Sequence, residues 1–224
     1  MVRLAINGFG RIGRCAFKIA FERCDAEIVA INSLGDAKTF AHLLKYDSAY
    51  GVYDHDISYD DRHLIIDDQK ILFLSEPDPI KLPWEKLQID TVMECTGAFC
   101  NPADARAHIK AGARKVVISA PAKGPGAKTV VLGVNEEVVT ADDEILSCAS
   151  CTTNCIAPVM KILEDNFGIA KATMTTIHSY TASQKLVDDV AKDIREARAA
   201  GVNIIPTTTG ASKATALTIP SLEG

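Results

Sequence analysis

Near the N-terminus, Gly8-Phe9-Gly10-Arg11-Ile12-Gly13 stands between an apolar run, Leu4-Ala5-Ile6, and a stretch whose apolar residues Ile12, Ala16, Ile19 and Ala20 recur at helical spacing. A strand, a glycine-rich turn and a helix in that order leave the backbone few options. Gly8 permits the tight turn, Gly10 lets a ligand come close to the main chain, and Gly13 lets the helix pack closely on the strand. Glu27–Asn32 then reads as a second strand, so the segment predicts a β-α-β unit. In that setting the free N–H groups at the helix start face phosphate, and the spacing is that of a dinucleotide fingerprint. Candidate ligand-binding residues are therefore Asn7, Gly8, Gly10, Arg11, Ile12 and Gly13.

The same alternation continues. Ile71–Leu74, Thr91–Glu94, Lys115–Ser119, Thr129–Val134 and Ile145–Ser147 read as strands, with helices near Asp36–Tyr46 and Pro102–Gly112. The expected fold is α/β: a doubly wound, mostly parallel Rossmann sheet over residues 1–150. Beyond it the texture changes, and residues 151–224 read as the first part of an α+β catalytic domain. There a helix over 152–167 carries Ile156, Val159, Met160, Leu163 and Phe167 on one face and stops at Gly168. Ala170–His178 alternates as a strand does, and Ser179–Asn203 is a polar connection. The chain stops with no closing helix or strand, so this second part is expected to be truncated.

Composition excludes several classes. The net charge of −5 is spread over interspersed signs, which argues against a nucleic-acid surface and leaves anionic ligands to local devices. No run of 18 apolar residues and no signal sequence occur, so the expectation is a cytoplasmic protein with no membrane association. Seven cysteines without an oxidising context do not predict disulfides. Cys148, Cys151 and Cys155 lack the second pair or histidines of a zinc site, so no metal is expected. Cys15, Cys24 and Cys95 fall in apolar stretches and read as small core residues.

Ser150-Cys151-Thr152-Thr153-Asn154-Cys155 carries the chemistry. Cys151 falls at the start of a helix, where unpaired N–H groups and the dipole favour thiolate over thiol. Cys155 lies one turn further in and reads as a buried small residue. Ser150, Thr152 and Thr153 fit simple capping equally well as anion binding, and His178 is a candidate base for the thiol. At the end of the second strand, Asn32-Ser33 offers no carboxylate to accept from a ribose, so NAD, NADP and use of both stay open.

Eight segments together carry a resemblance: Ile6–Arg14, Leu43–Gly51, Leu82–Trp84, Glu94–Gly97, Ile118–Lys123, Ser150–Cys155, Ile177–Thr181 and Ile204–Lys213. In order and across the whole sequence they resemble the phosphorylating glyceraldehyde-3-phosphate dehydrogenase family. The resemblance implies Cys151 as nucleophile and His178 as base, with glyceraldehyde 3-phosphate and inorganic phosphate as substrates of a homotetramer. It adds Asn32, Ser33, Thr96, Gly97 and Ser119 to the cofactor set. It maps the site for attacking phosphate onto Ser150, Thr152, Arg195, Thr209 and Gly210, and part of the substrate-phosphate site onto Thr181. Ser33, Pro77 and Asp189-Val190 depart from the common NAD-specific pattern, which bears on cofactor preference and leaves the chemistry alone. Two alternatives accompany this reading: an erythrose-4-phosphate dehydrogenase, or a nucleotide-binding module without turnover.

Overall fold

In the computed structural model, which describes residues 1–223, the chain divides into two compact units, Met1–Ser150 and Cys151–Gly224. The first opens with β1 (Val2–Asn7), α1 (Arg11–Arg23) and β2 (Ala26–Asn32), followed by α2 (Ala37–Lys45). Asp36 starts α2 by accepting a hydrogen bond from the Thr39 N–H at 2.7 Å, as an N-cap does. Short strands β3 (Tyr46–Asp47), β4 (Gly51–Val52), β5 (Ile57–Tyr59) and β6 (His63–Ile66) lead to β7 (Gln69–Leu74). Then come β8 (Thr91–Glu94), α3 (Pro102–Lys110), β9 (Lys115–Ile118), β10 (Lys128–Thr129) and β11 (Ile145–Ser147).

Among the described residues these form a nine-stranded sheet in the order β10-β11-β9-β8-β1-β2-β7-β6-β5, and β3 pairs with β4 alone. Pairing is parallel from β10 through β7, while β6 and β5 add an antiparallel edge. Both faces are covered. Ile6 and Ile31 enter one core with Phe9, Phe17 and Leu44, whereas their strand neighbours Ala5 and Ala30 enter another with Trp84 and Val92. This is the period-two alternation of a strand buried on both sides. Fully burying a side chain such as Phe17 stabilises the fold by about 1.5–3 kcal/mol.

β1 lies between β2, which follows it, and β8, which arrives much later, so the chain reverses its direction of strand addition beside β1. Ligands of open α/β sheets bind at such a switch point, outside the carboxyl ends of the strands.

Cys151–Gly224 holds α4 (Cys151–Phe167), α5 (Ala211–Thr218) and short 3-10 turns. Three expectations are corrected. The strand read over 129–134 shrinks to Lys128–Thr129, because Gly133 at φ +77° and the Asn135 side chain, bonded to Val131 N and Thr129 O, turn the chain. Ala170–His178 has no regular secondary structure; its alternation prepared two faces, but no neighbouring strand among the described residues of this unit pairs with it. In α4 the buried positions are Thr153 and Ala157, while Val159, Leu163 and Phe167 of the expected apolar face are exposed.

Candidate active site and dinucleotide cleft

The glycine turn is built as its spacing demands. Gly8 sits at φ +93°, and its N–H donates to the Asn32 carbonyl at 2.7 Å, which ties the turn to the end of β2. A Cβ on Gly8 would lie 2.6 Å from the Thr96 backbone nitrogen, and one on Gly13 would lie 2.0 Å from the Gly8 carbonyl oxygen. Gly10 differs: a Cβ there meets nothing within 4 Å and would project into open space. Gly10 supplies no side-chain cap and no acidic residue occupies the first turn of α1, so Arg11, Ile12 and Gly13 present the start of the helix to that space. The Arg11 guanidinium is turned aside onto Asp47 at 2.6 Å, leaving its backbone for the cleft.

A cavity of about 340 Å³ opens here, lined among others by Gly8, Gly10, Ser33, Leu34, Pro77 and Thr96. Its position at the switch point, the unobstructed approach to Gly10 and the uncapped helix start fit a dinucleotide. Ser33 contributes to the cleft wall and also braces it, since its hydroxyl accepts from the Phe9 N–H at 3.1 Å. Gly97 adopts φ +74°, and Ser119 donates its N–H to the Glu94 carbonyl at 3.0 Å, fixing the turns after β8 and β9. Cys95 also lines the cavity, but burial pushes its thiol up to about 11, so it stays protonated.

The floor of the cleft carries a polar network that joins residues of three resemblance segments to Asn32 and to His108, and sequence reasoning missed only His108. Asn7, Asn32, Glu94 and His108 are all buried. Asn32 donates to Asn7 at 2.7 Å, and Asn7 donates to Glu94 at 2.6 Å. His108 meets the other side of the same carboxylate oxygen at 3.1 Å, and the Trp84 indole donates to His108 Nδ1 at 3.0 Å. Trp84, the last residue of the Leu82–Trp84 segment, is fully buried.

In Cys151–Gly224, Cys151 is the first residue of α4 and its Sγ lies 3.2 Å from His178 Nε2. His178 Nδ1 donates to the Ser179 carbonyl at 2.6 Å, which leaves Nε2 as the position that exchanges a proton with sulfur. The bond to His178, with help from the Thr152 hydroxyl and N–H, holds Cys151 below the usual thiol range against the opposing effect of burial. Reciprocally, the Ser179 carbonyl and then Cys151 raise His178 above the usual imidazole range. Opposite shifts on two touching groups both favour passage of the proton from Cys151 Sγ to His178 Nε2.

The other site residues of this unit make local bonds. The Arg195 guanidinium is held by Asp193, with Nη2 to carboxylate oxygen at 2.6 Å. Thr209 accepts from the Ala211 N–H at 3.2 Å at the start of α5, next to Gly210, and the Thr181 hydroxyl lies 2.9 Å from that of Ser183. Among the described residues no hydrogen bond joins Thr181, Arg195 or Thr209 to the Cys151–His178 pair. Ser150 immediately precedes Cys151, at the end of the first unit. Two cysteines depart from expectation. Cys155 is exposed, not buried, because α4 turns Thr153 and Ala157 inward instead. Cys24 is also exposed: it ends α1 in the left-handed region at φ 55°, a capping position and not a core one. Among the described residues no cluster of His, Cys, Asp or Glu is placed to hold a metal ion, and no helix is long and apolar enough to cross a membrane.

A Rossmann sheet with an open glycine cradle, joined in sequence to a helix that begins on a cysteine paired with a histidine, places the chain in the class of proteins built on a dinucleotide-binding fold. Residues 2–102 match the family described as glyceraldehyde 3-phosphate dehydrogenase, NAD binding domain, and residues 150–224 match its C-terminal domain. The chain belongs to the glyceraldehyde-3-phosphate dehydrogenase family. It is 54% identical to a glyceraldehyde-3-phosphate dehydrogenase of Thermotoga maritima, over 97% of this chain and 66% of that protein. The corresponding protein of Mycoplasma pneumoniae is 52% identical over 96% of this chain and 64% of its own length, and that of Zymomonas mobilis 51% over 100% and 67%. The chain thus spans about two thirds of the length of the curated relatives it matches.

Proposed function

We propose that the chain carries the nucleophile and the cofactor cradle of an NAD(P)-dependent oxidation of glyceraldehyde 3-phosphate to 1,3-bisphosphoglycerate, a step of glycolysis, gluconeogenesis or carbon fixation. The carrying observation is the 3.2 Å contact between Cys151 Sγ and His178 Nε2. Cys151 as thiolate attacks the aldehyde carbon, and the oxyanion that forms takes the proton from His178 Nε2 to give the hemithioacetal, leaving a neutral imidazole. The dinucleotide, when bound, supplies the hydride acceptor for the oxidation to thioester. His178 takes the hydroxyl proton during that oxidation. Inorganic phosphate then cleaves the thioester and returns the Cys151 thiolate. Gly8, Gly10 and the first turn of α1 would hold the pyrophosphate, with Asn32, Ser33, Thr96, Gly97 and Ser119 around the rest of the cofactor.

Ser150, Thr152, Arg195, Thr209 and Gly210 would bind inorganic phosphate and Thr181 the substrate phosphate; this assignment requires Arg195 to exchange Asp193 for the anion. The relatives' names favour the triose substrate over erythrose 4-phosphate. A cytoplasmic homotetramer completes the proposal, and the apolar side chains of Tyr46, Tyr50 and Val52, all exposed beside the β3–β4 hairpin, support association. The test is formation of reduced dinucleotide from glyceraldehyde 3-phosphate. Turnover that needs phosphate and disappears in Cys151→Ser is expected; phosphate-independent turnover would point to hydrolysis of the thioester, and binding without turnover to a nucleotide-binding module.

A further inference from the structure

The buried network beneath the dinucleotide cleft has a direction. Asn7 is in register with Asn32 across β1–β2 and with Glu94 across β1–β8, so three polar side chains meet at the carboxyl ends of three adjacent strands. Asn32 extends the row to the loop after β7: its amide donates to the Glu76 carbonyl at 2.9 Å and accepts from the Glu76 N–H at 2.8 Å. At the other end Glu94 divides its two oxygens. One accepts from Asn7 and His108, and the other from both the N–H and the hydroxyl of Thr96.

Every group facing Glu94 is thus a donor. The Trp84 indole has only a hydrogen to give, so His108 Nδ1 must accept, and the neutral ring carries its proton on Nε2, aimed at Glu94. Thr96 spends its hydroxyl hydrogen on Glu94, and its oxygen accepts from the Ala98 N–H at 3.0 Å. Its side chain is therefore consumed in shaping the turn, which leaves the cleft the backbone of Thr96 and Gly97. Burial works against an ionised Glu94, yet the bonds from His108, Thr96 and Asn7 outweigh it.

We propose that Glu94, with its tautomer-locked partner His108, is a positioning residue that sets the cofactor-binding loops after β1, β2, β7 and β8 in their binding geometry. This rests on the reading of the cleft as a dinucleotide site. A carboxylate is required because only an acceptor with no hydrogens can satisfy donors on both oxygens at once. Replacing it by an amide turns an N–H₂ toward at least one set of donors, and the loops must part.

Titration of the full chain with NAD and NADP tests this. In Glu94→Gln the dissociation constant of the preferred dinucleotide should rise about tenfold or more, which corresponds to about 1.4 kcal/mol. Thr96→Val, at an exposed position, should weaken binding in the same direction by several-fold. His108→Gln, whose amide can still donate, should bind within about threefold of the parent, while His108→Leu should lose affinity as Glu94→Gln does. Alkylation of Cys151, in the other unit, should be unchanged in all four. Trp84, the one tryptophan of the chain, reports the network by its fluorescence. If the parent binds and Glu94→Gln and Thr96→Val bind equally well, or only melt at lower temperature with affinity intact, the positioning role is overturned. If the parent binds neither dinucleotide, the cofactor reading fails and the proposal with it.

Discussion

Cys151 and Cys155 occupy successive turns of one helix, and both are exposed, so accessibility does not separate them. What separates them is a partner: only Cys151 has the His178 imidazole at 3.2 Å. Its lowered thiol range means that thiolate persists as pH falls, and is lost only below that range; the imidazolium partner is lost as pH rises through the raised range of His178. Iodoacetamide at pH 7 should therefore label Cys151 at least about tenfold faster than Cys155, as read by peptide mass spectrometry. His178→Ala should remove most of that advantage and restore the steep rise of rate with pH seen for an ordinary thiol. Equal rates in the parent would deny the pairing. Ser33 makes a second residue-scale prediction, because its hydroxyl already braces the Phe9 N–H and a carboxylate could do the same. Ser33→Asp should keep the turn and shift the ratio of NAD to NADP affinity toward NAD by about tenfold, through repulsion of the 2′-phosphate. An unchanged ratio would remove Ser33 from cofactor selection.

At the scale of the element, the strand–turn–helix start shows why three glycines are not equivalent. Gly13→Ala forces a Cβ against the Gly8 carbonyl and should destabilise the chain by about 1–3 kcal/mol or more, read as a fall in melting temperature. Gly10→Ala meets no protein atom, so the melting temperature should hold while dinucleotide affinity drops. Both variants behaving alike would mean that Gly10 does not face the ligand. The motif made β1, α1 and β2 legible, and their neighbours β8, α3, β9 and β11 lie where periodicity placed them. It failed where pairing decides the outcome. Ala170–His178 alternates as a strand would, but backbone N–H and C=O groups need a neighbour, and periodicity is silent about neighbours. The short strands β3 to β6 were missed for the converse reason: their mutual pairing stabilises segments too brief to announce themselves.

Across the whole molecule the two units are unequal in core. The first buries large side chains such as Trp84, Phe9, Phe17 and Ile31, whereas the buried hydrophobics of the second are Ala157, Ala200, Ala211, Ala214 and Ile219 among the described residues. Limited proteolysis should therefore cut first between residues 168 and 210 and leave a resistant Met1–Ser150 unit; first cuts within β1–β11 would contradict this. The same contrast separates what the sequence determined from what the fold decided. Glycine spacing and apolar periodicity are local, and they were enough to specify the parallel sheet, the cofactor turn and the helix that begins at Cys151. That His178 comes within 3.2 Å of the Cys151 already singled out at the helix start, which histidine tautomer stands behind the cleft, and how Trp84 reaches His108 across 24 residues are matters of distance between remote positions. Those distances exist only once the chain has packed, because hydrogen bonds and charge pairing fall off within a few ångströms that sequence separation does not encode.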